Sequence, residues 1–181
     1  MNRSIGAIEF RSISKGIETS DLMVKQSNVE LIFFRMICPG KFLTIISGNE
    51  GEVKEAINYG VSISEKAAAD NFIINAIHND IINAFKNKYN VKSKGAFGIM
   101  ETSSVCSGIQ ALDSMIKNAN VSVVKIQLAF CIGGKFVSIV SGEVSDVENG
   151  VRAARNIVDA KKIINISVIP SPDPMIISML T

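Results

Sequence analysis

The chain has 181 residues, of which 47% are hydrophobic and 20% are charged, a composition that supports a packed interior and excludes a disordered chain. Lys and Arg outnumber Asp and Glu only by 19 to 17, which is too even a balance for a nucleic-acid-binding surface. Met1-Asn2-Arg3-Ser4 runs directly into a strand-like segment without the pattern of a signal peptide, and no apolar run in the sequence reaches membrane-spanning length. We therefore expect a cytoplasmic protein that contacts neither nucleic acid nor membrane.

Two further features of the composition concern assembly and redox state. The apolar share is high for small domains, so we expect part of it to be buried between subunits. The three cysteines are an odd number without paired spacing, which favours reduced thiols over a disulfide framework.

The first half of the chain carries six predicted elements. They are a strand at 3–10, a helix at 14–27, strands at 29–37 and 41–47, a helix from Val53 to Ser64, and a strand at about 71–77. Ser12 or Ser14 is placed to cap the first helix. Cys38-Pro39-Gly40 separates the two central strands and suits a tight connection. The order β-α-β-β-α-β predicts an α+β domain, an antiparallel sheet with helices on one face.

The second half repeats the first. Ile5-Gly6-Ala7-Ile8-Glu9 recurs as Phe97-Gly98-Ile99-Met100-Glu101, and Gly40-Lys41-Phe42 recurs as Gly134-Lys135-Phe136 after an insertion of two residues. Ser103 or Ser104 takes the capping position, and 163–169 is the last predicted strand. The insertion falls in the loop that ends with Ile132-Gly133-Gly134. We expect a first domain at 1–85, an exposed, lysine-bearing linker at 86–94 and a second domain at 95–181.

Several segments carry a family resemblance. They are Gly-x-x-Glu in each first strand, Asp-Leu-Met-Val-Lys-Gln-Ser-Asn-Val at 21–29, Asp-Ser-Met-Ile-Lys-Asn-Ala-Asn-Val at 113–121, and Val-Ile-Pro-Ser-Pro at 168–172. Together they resemble the bacterial microcompartment (BMC) shell domain over nearly the whole chain. The resemblance implies two tandem ferredoxin-like-related BMC domains in the non-permuted strand order. Because single-domain members form flat hexamers with a central pore, it also implies a pseudohexameric homotrimer.

Cys38 is the main candidate site residue. Ile37-Cys38-Pro39-Gly40-Lys41-Phe42 is similar to the segment that carries a cluster-binding cysteine in the PduT-type branch of tandem shell proteins. The resemblance implies that this loop faces the trimer axis, where three Cys38 thiolates would ligate three irons of one [4Fe-4S] cluster. The expected pore loops consist of Pro39, Gly40, Lys41, Ile132, Gly133 and Gly134. A lone cysteine at a strand end is also an ordinary packing residue, so an unmetallated pore remains the alternative.

The other two cysteines are weaker candidates. Cys131 lies near the matching loop of the second half, where the PduT-type pattern has glycine. It is kept as a minor candidate thiol, although packing is the more common role at a strand end. Cys106 lies at a predicted helix start, where the helix dipole lowers a thiol pKa, but a structural role is favoured.

Lys25 and Lys117 coincide with the lysine that lies at the tile edge in this family, so the resemblance implies contact with a neighbouring tile. Their simpler interpretation is two exposed helix lysines. Single-domain members often carry Pro-Arg-Pro near the last strand, whereas Ser171 stands between Pro170 and Pro172 here. We expect lateral packing at that point to differ.

The predicted function is a structural shell protein rather than an enzyme, because the sequence offers no nucleophile–base pair, phosphate loop or paired zinc-ligand spacing, and its only histidine is His78. The cluster would serve electron transfer across the shell or cluster delivery. Expected partners are further copies of the chain, other shell proteins, and a soluble redox protein or an encapsulated redox enzyme. Two alternatives stay open: a tile whose bare pore passes small polar metabolites, and a duplicated ferredoxin-like regulatory domain that binds a small effector.

Overall fold

The computed structural model of the chain describes residues 4–90 and 95–180. Residue 3 of the first predicted strand and residues 91–94 of the predicted linker lie outside the described residues. No helix in the two described ranges combines the length and the apolar character that a membrane span requires.

The first copy folds in the predicted order. Its elements are β1 (Ser4–Phe10), α1 (Ile13–Gln26), β2 (Glu30–Ile37), β3 (Lys41–Gly48), α2 (Glu50–Ile63) and β4 (Ala68–Ile74). The strands form an antiparallel sheet in the order β2-β3-β1-β4. Ser12 caps α1 because its Oγ accepts a hydrogen bond from the Lys15 N–H. A helix that the sequence analysis does not predict, α3 (Asn79–Phe85), follows β4.

The second copy repeats this arrangement. Its elements are β5 (Ala96–Thr102), α4 (Val105–Asn118), β6 (Ser122–Leu128), β7 (Phe136–Gly142), α5 (Val144–Ile157), β8 (Ile163–Ile169) and α6 (Pro174–Leu180). Its sheet order, β6-β7-β5-β8, matches that of the first. Ser104 caps α4 by accepting from the Ser107 N–H. The predicted α+β class and its tandem arrangement are confirmed.

Glycines in the first strand of each copy explain how closely the long helices pack. A Cβ at Gly6 would collide with Ile57 of α2, and one at Gly98 would come within 2.8 Å of Val147 in α5. Side chains alternate between the two faces of a strand, so these glycines mark the face that the helices cover. The Gly-x-x-Glu motif therefore contributes to core packing in both copies.

The opposite face of the second sheet carries the last helix. Phe97, Val124 and Ile139 form a buried cluster there, against which Ile177 and Leu180 of α6 pack. The long helices thus occupy one face as predicted, and a short helix covers part of the other.

One predicted strand is misplaced. The last strand of the first copy spans Ala68–Ile74 and not 71–77, because its pairing with β1 begins at Ala68 opposite Phe10. The chain leaves the sheet at Asn75-Ala76, where Ala76 adopts a φ of 51°. This left-handed conformation is typical of a turn rather than a strand.

The chain divides into two compact units. One contains the described residues up to Ile77 together with Ala129–Gly134, and the other contains His78–Leu128 and the residues from Lys135 onwards. Two segments therefore group differently from the predicted division at the linker. Helix α3 belongs to the second unit, where it packs on β6 and α4, and the loop after β6 belongs to the first.

Candidate functional site

Cys38 lies at the tip of the β2–β3 hairpin. Ile37 pairs with Lys41, so the connection consists only of Cys38, Pro39 and Gly40. Ile37 is buried, Cys38 is half-buried with a free thiol, and Pro39 and Gly40 are exposed. The core thus fixes the base of the hairpin while its tip remains open to solvent.

Gly40, two residues after the thiol, lies on an uncrowded side of the loop. It adopts a φ of +75°, which other residues rarely tolerate, and a Cβ built on it would meet nothing within 4 Å. The Cys38–Pro39 peptide bond is cis. The tip therefore combines a partly exposed cysteine with open space at Gly40.

Lys41 is held by an ion pair. Its Nζ lies 2.7 Å from Oε1 of Glu9, the fully buried glutamate of the Gly-x-x-Glu motif. The second copy has the same pair between Lys135 and Glu101, also at 2.7 Å, in a more exposed setting. A buried carboxylate must be paired or hydrogen-bonded, so Glu9 ties the end of the loop to β1. Lys41, which the sequence analysis places in the pore loop, directs its ammonium group to this carboxylate.

The matching loop of the second copy has a different conformation. Leu128 and Phe136 close it, and they have seven residues between them where Met36 and Phe42 have five, which reflects the two-residue insertion. Its backbone has positive φ at Ala129, Cys131, Gly133 and Gly134. Non-glycine residues in this region cost about 1–3 kcal/mol each unless their surroundings impose the conformation. Cys131 is exposed in this constrained loop.

Gly134 brings this second loop against Cys38. Both residues belong to the first compact unit. A Cβ at Gly134 would collide with the carbonyl oxygen of Cys38 and come within 3.1 Å of Pro39 Cδ. Two predicted loop residues from different copies are therefore neighbours, and only glycine fits at the second of them.

Within the described residues of one chain, no group of three or more His, Cys, Asp or Glu side chains is placed to hold a metal ion. Cys106 is buried in α4, and His78 accepts the Asp80 N–H at the start of α3. Within the described residues, a metal centre that takes three or more such ligands would therefore require several chains.

The two predicted edge lysines make equivalent ion pairs in unlike surroundings. Lys25 pairs with Asp21 and Lys117 with Asp113, both at 2.6 Å and one helical turn apart. The Asp21 side chain is 57% exposed and that of Asp113 only 9%. Asp113 also accepts the His78 N–H at 3.1 Å. The role of both lysines at a tile edge stays a prediction.

Glu9 and Glu101 were not predicted from the sequence as residues of the loop region. Their pattern offered an indication, since each is a single acid in an apolar strand and each copy has one lysine after the loop. What the pattern lacked was the strand order, which places β1 next to β3.

Comparison with known proteins agrees with this architecture. The model of the BMC domain family matches residues 4–77 and 96–172, which correspond to the two copies. The chain belongs to the BMC domain family.

Individual relatives are similar over nearly the whole chain. The bacterial microcompartment shell protein PduT of Citrobacter freundii is 40% identical over 173 residues, which cover 95% of this chain and 94% of that protein. The crystal structure of a microcompartment protein from Desulfitobacterium hafniense has a TM-score of 0.85 and 32% identity, with 97% of this chain and 98% of that one covered. The carboxysome assembly protein CcmO of Synechococcus elongatus is 28% identical over 93% of this chain but only 65% of its own length.

These matches define the chain as a tandem-BMC shell protein of the PduT type, located in the bacterial microcompartment shell. The predicted family is confirmed, and the match favours a shell protein over the regulatory effector-binding domain.

Proposed function

We propose that the chain forms a homotrimeric, pseudohexameric tile of a microcompartment shell within the cytoplasm, and that the pore on its axis binds one [4Fe-4S] cluster. Cys38 of each of three subunits would ligate it. The observation that carries the proposal is the free, half-buried Cys38 thiol at the tip of a three-residue hairpin loop.

The residues at this tip fit such a group. A thiolate is the protein ligand that iron–sulfur clusters use, and three subunits supply three of them around one threefold axis. A Cβ at Gly40 would meet nothing within 4 Å, so the tip is uncrowded on that side. Nearby Glu9 is engaged with Lys41, so its carboxylate does not compete as a ligand.

The chain itself would hold the sulfur atom in position. Burial of Ile37 and the Glu9–Lys41 pair fix the two ends of the loop. Gly134 packs against the Cys38 carbonyl from the other loop and limits backbone movement on that side. A ligand held by a constrained backbone keeps its geometry when the metal changes charge. When bound, the cluster would supply one-electron chemistry, for electron transfer across the shell or for delivery of the cluster.

The partners follow from this role. The tile would pack beside other shell proteins and exchange electrons with a soluble redox protein or an encapsulated redox enzyme. Lys25 and Lys117 are the proposed contacts with neighbouring tiles.

The test is anaerobic purification of the wild type, Cys38→Ser and the matched control Cys131→Ser, each with its mass measured by light scattering. We expect brown wild-type trimers with about four irons per three chains. Iron and visible absorption should disappear in Cys38→Ser and persist in Cys131→Ser, with the trimer mass unchanged in both. Colourless, iron-free wild-type trimers after reconstitution would instead indicate the tile with an unmetallated metabolite pore.

A further inference from the structure

Equivalent surfaces of the two copies differ in exposure. Leu31 in β2 is 44% exposed, whereas its counterpart Val123 in β6 is only 3% exposed. The equivalence is secure because the pairing of both strands shifts register at this point. The same contrast recurs in three further pairs, each exposed in the first copy and buried in the second: Phe34 and Ile126, Ile17 and Ile109, Val24 and Ile116.

A short helix covers this surface in the second copy. Helix α3 packs on β6 and α4 within the second compact unit. Its Ile81 and Ala84 side chains are fully buried. The junction is also polar, since the backbone N–H of His78 donates to Oδ1 of Asp113 at 3.1 Å. The surface formed by β6 and α4 therefore binds a helix. This surface, and the equivalent one formed by β2 and α1 in the first copy, are here called acceptor surfaces.

Helix α6 is the counterpart of α3. Each begins five positions after the strand before it, at Asn79 after Ile74 and at Pro174 after Ile169. This alignment equates Ile81 with Ile176 and Ala84 with Met179. Ile176 is 48% exposed and Met179 is 78% exposed. Ile177 and Leu180 anchor the helix to its own sheet, so the other apolar face is presented to solvent.

The chain therefore contains one complete junction, in which α3 packs on β6 and α4. It also contains the two parts of an equivalent junction, namely α6 and the surface of β2 and α1, each of which has exposed apolar side chains. We infer that α6 of one chain packs through Ile176 and Met179 on a second chain, on the acceptor surface that β2 and α1 form in its first copy. Asp21 takes the place of Asp113 and accepts the backbone N–H of Asp173, the counterpart of His78. Asp113 accepts its hydrogen bond while paired with Lys117, so the pairing of Asp21 with Lys25 does not prevent the same contact.

The two parts lie on different surfaces of one chain, so the contact is head-to-tail. A head-to-tail contact closes into a ring when the rotation between neighbouring subunits is a whole fraction of a turn, which is one third in the proposed trimer. The inference rests on the proposed trimer and specifies how its subunits join. Burial of the exposed apolar side chains provides the driving force.

The experiment alters the exposed face of α6 and the acceptor surface of β2 in separate variants. Met179→Glu places a charge on the exposed face of α6, and Leu31→Glu places one on the acceptor surface of β2. Ser178→Glu is the matched control, because Ser178 and its counterpart Asn83 are both exposed. Masses are measured by sedimentation velocity over a concentration series, with circular dichroism to verify the fold. We expect trimers for the wild type and Ser178→Glu, and monomers for the other two variants.

Mixing the two monomeric variants gives the decisive result. Leu31→Glu retains a normal α6 and Met179→Glu retains a normal acceptor surface, so the mixture should form a two-chain species with one intact junction. A mixture that stays monomeric would overturn the pairing of α6 with β2. Trimers that survive both substitutions would overturn this inference and leave the proposed tile in place. A monomeric wild type would overturn the proposed tile itself.

Discussion

The two loops between the second and third strands of each copy began as equivalents and now differ in length, conformation and surroundings. The loop of the first copy has three residues and presents a half-buried thiol. The second copy has seven residues between Leu128 and Phe136 where the first has five between the matching Met36 and Phe42, and its loop has positive φ at four positions. Its Gly134 packs on the backbone of the first loop. One copy thus carries the thiol that is proposed as a ligand, and the other packs against its backbone. Two comparisons test this division, and a third compares the helix ion pairs of the two copies.

The largest difference in the loss of stability is expected between substitutions of the two glutamates, Glu9 and Glu101. Glu9→Gln removes the charge of a fully buried acid that pairs with Lys41, so it should lower the free energy of unfolding by about 3 kcal/mol. Glu101→Gln breaks the same pair where the acid is 28% exposed and solvent screens the charge, so the loss should be at most about 1 kcal/mol. Urea unfolding followed by circular dichroism measures both. Equal losses would show that Glu9 does not anchor the Cys38 loop more firmly than its counterpart anchors the other loop.

The next comparison is between the loss of stability on substituting two neighbouring glycines, Gly133 and Gly134. Gly134→Ala adds a methyl group against the Cys38 carbonyl at a φ of +80°, which should cost roughly 3 kcal/mol from strain and overpacking. Gly133→Ala has a φ of +67° but faces open space, so it should cost about 1 kcal/mol from backbone strain alone. Thermal unfolding compares the two variants. If Gly133→Ala proves as destabilising as Gly134→Ala, the result would contradict the close packing of Gly134 against the Cys38 carbonyl.

The smallest effect concerns the aspartates of the two helix pairs. Asp113→Ala removes an ion pair and the acceptor for the His78 N–H, so it should destabilise the chain by about 1.5–2 kcal/mol. Asp21→Ala in monomeric Leu31→Glu should cost only about 0.3 kcal/mol, because it removes one exposed pair within a helix. In the otherwise unmodified chain, Asp21→Ala should also raise the dissociation constant of the proposed trimer, which sedimentation equilibrium would detect. No change there would argue against the Asp21–Asp173 contact.

Much of the fold was predictable because the chain contains the same pattern twice, so an element predicted in one copy can be checked against the other. A strand or helix pattern that recurs at a fixed offset is unlikely to be accidental, and Ser12 and Ser104 mark helix starts by side-chain chemistry that is local in sequence. The short helices were missed because seven residues are too few for a clear helical period. The last strand of the first copy was displaced because apolar residues continue to Ile77 beyond the turn.

The candidate site was predictable only in part. Cys38 was singled out by its loop and its family resemblance, whereas the ion pair with Glu9 depends on which strands are neighbours. The approach of Gly134 to Cys38 depends on contacts between residues almost a hundred positions apart. Neither follows from periodicity or local propensity, which report only on nearby residues.

The unequal length of the two loops has a consequence for how this protein changes over time. In an assembly of identical single domains, any substitution in this loop is repeated in every domain. Here Cys38 and its Cys-Pro-Gly loop can be altered while the longer loop keeps its sequence, and the reverse is equally true. Fusion of two copies thus lets each loop change independently, so that an evolving or engineered variant can alter the Cys38 thiol separately from the segment that packs against it.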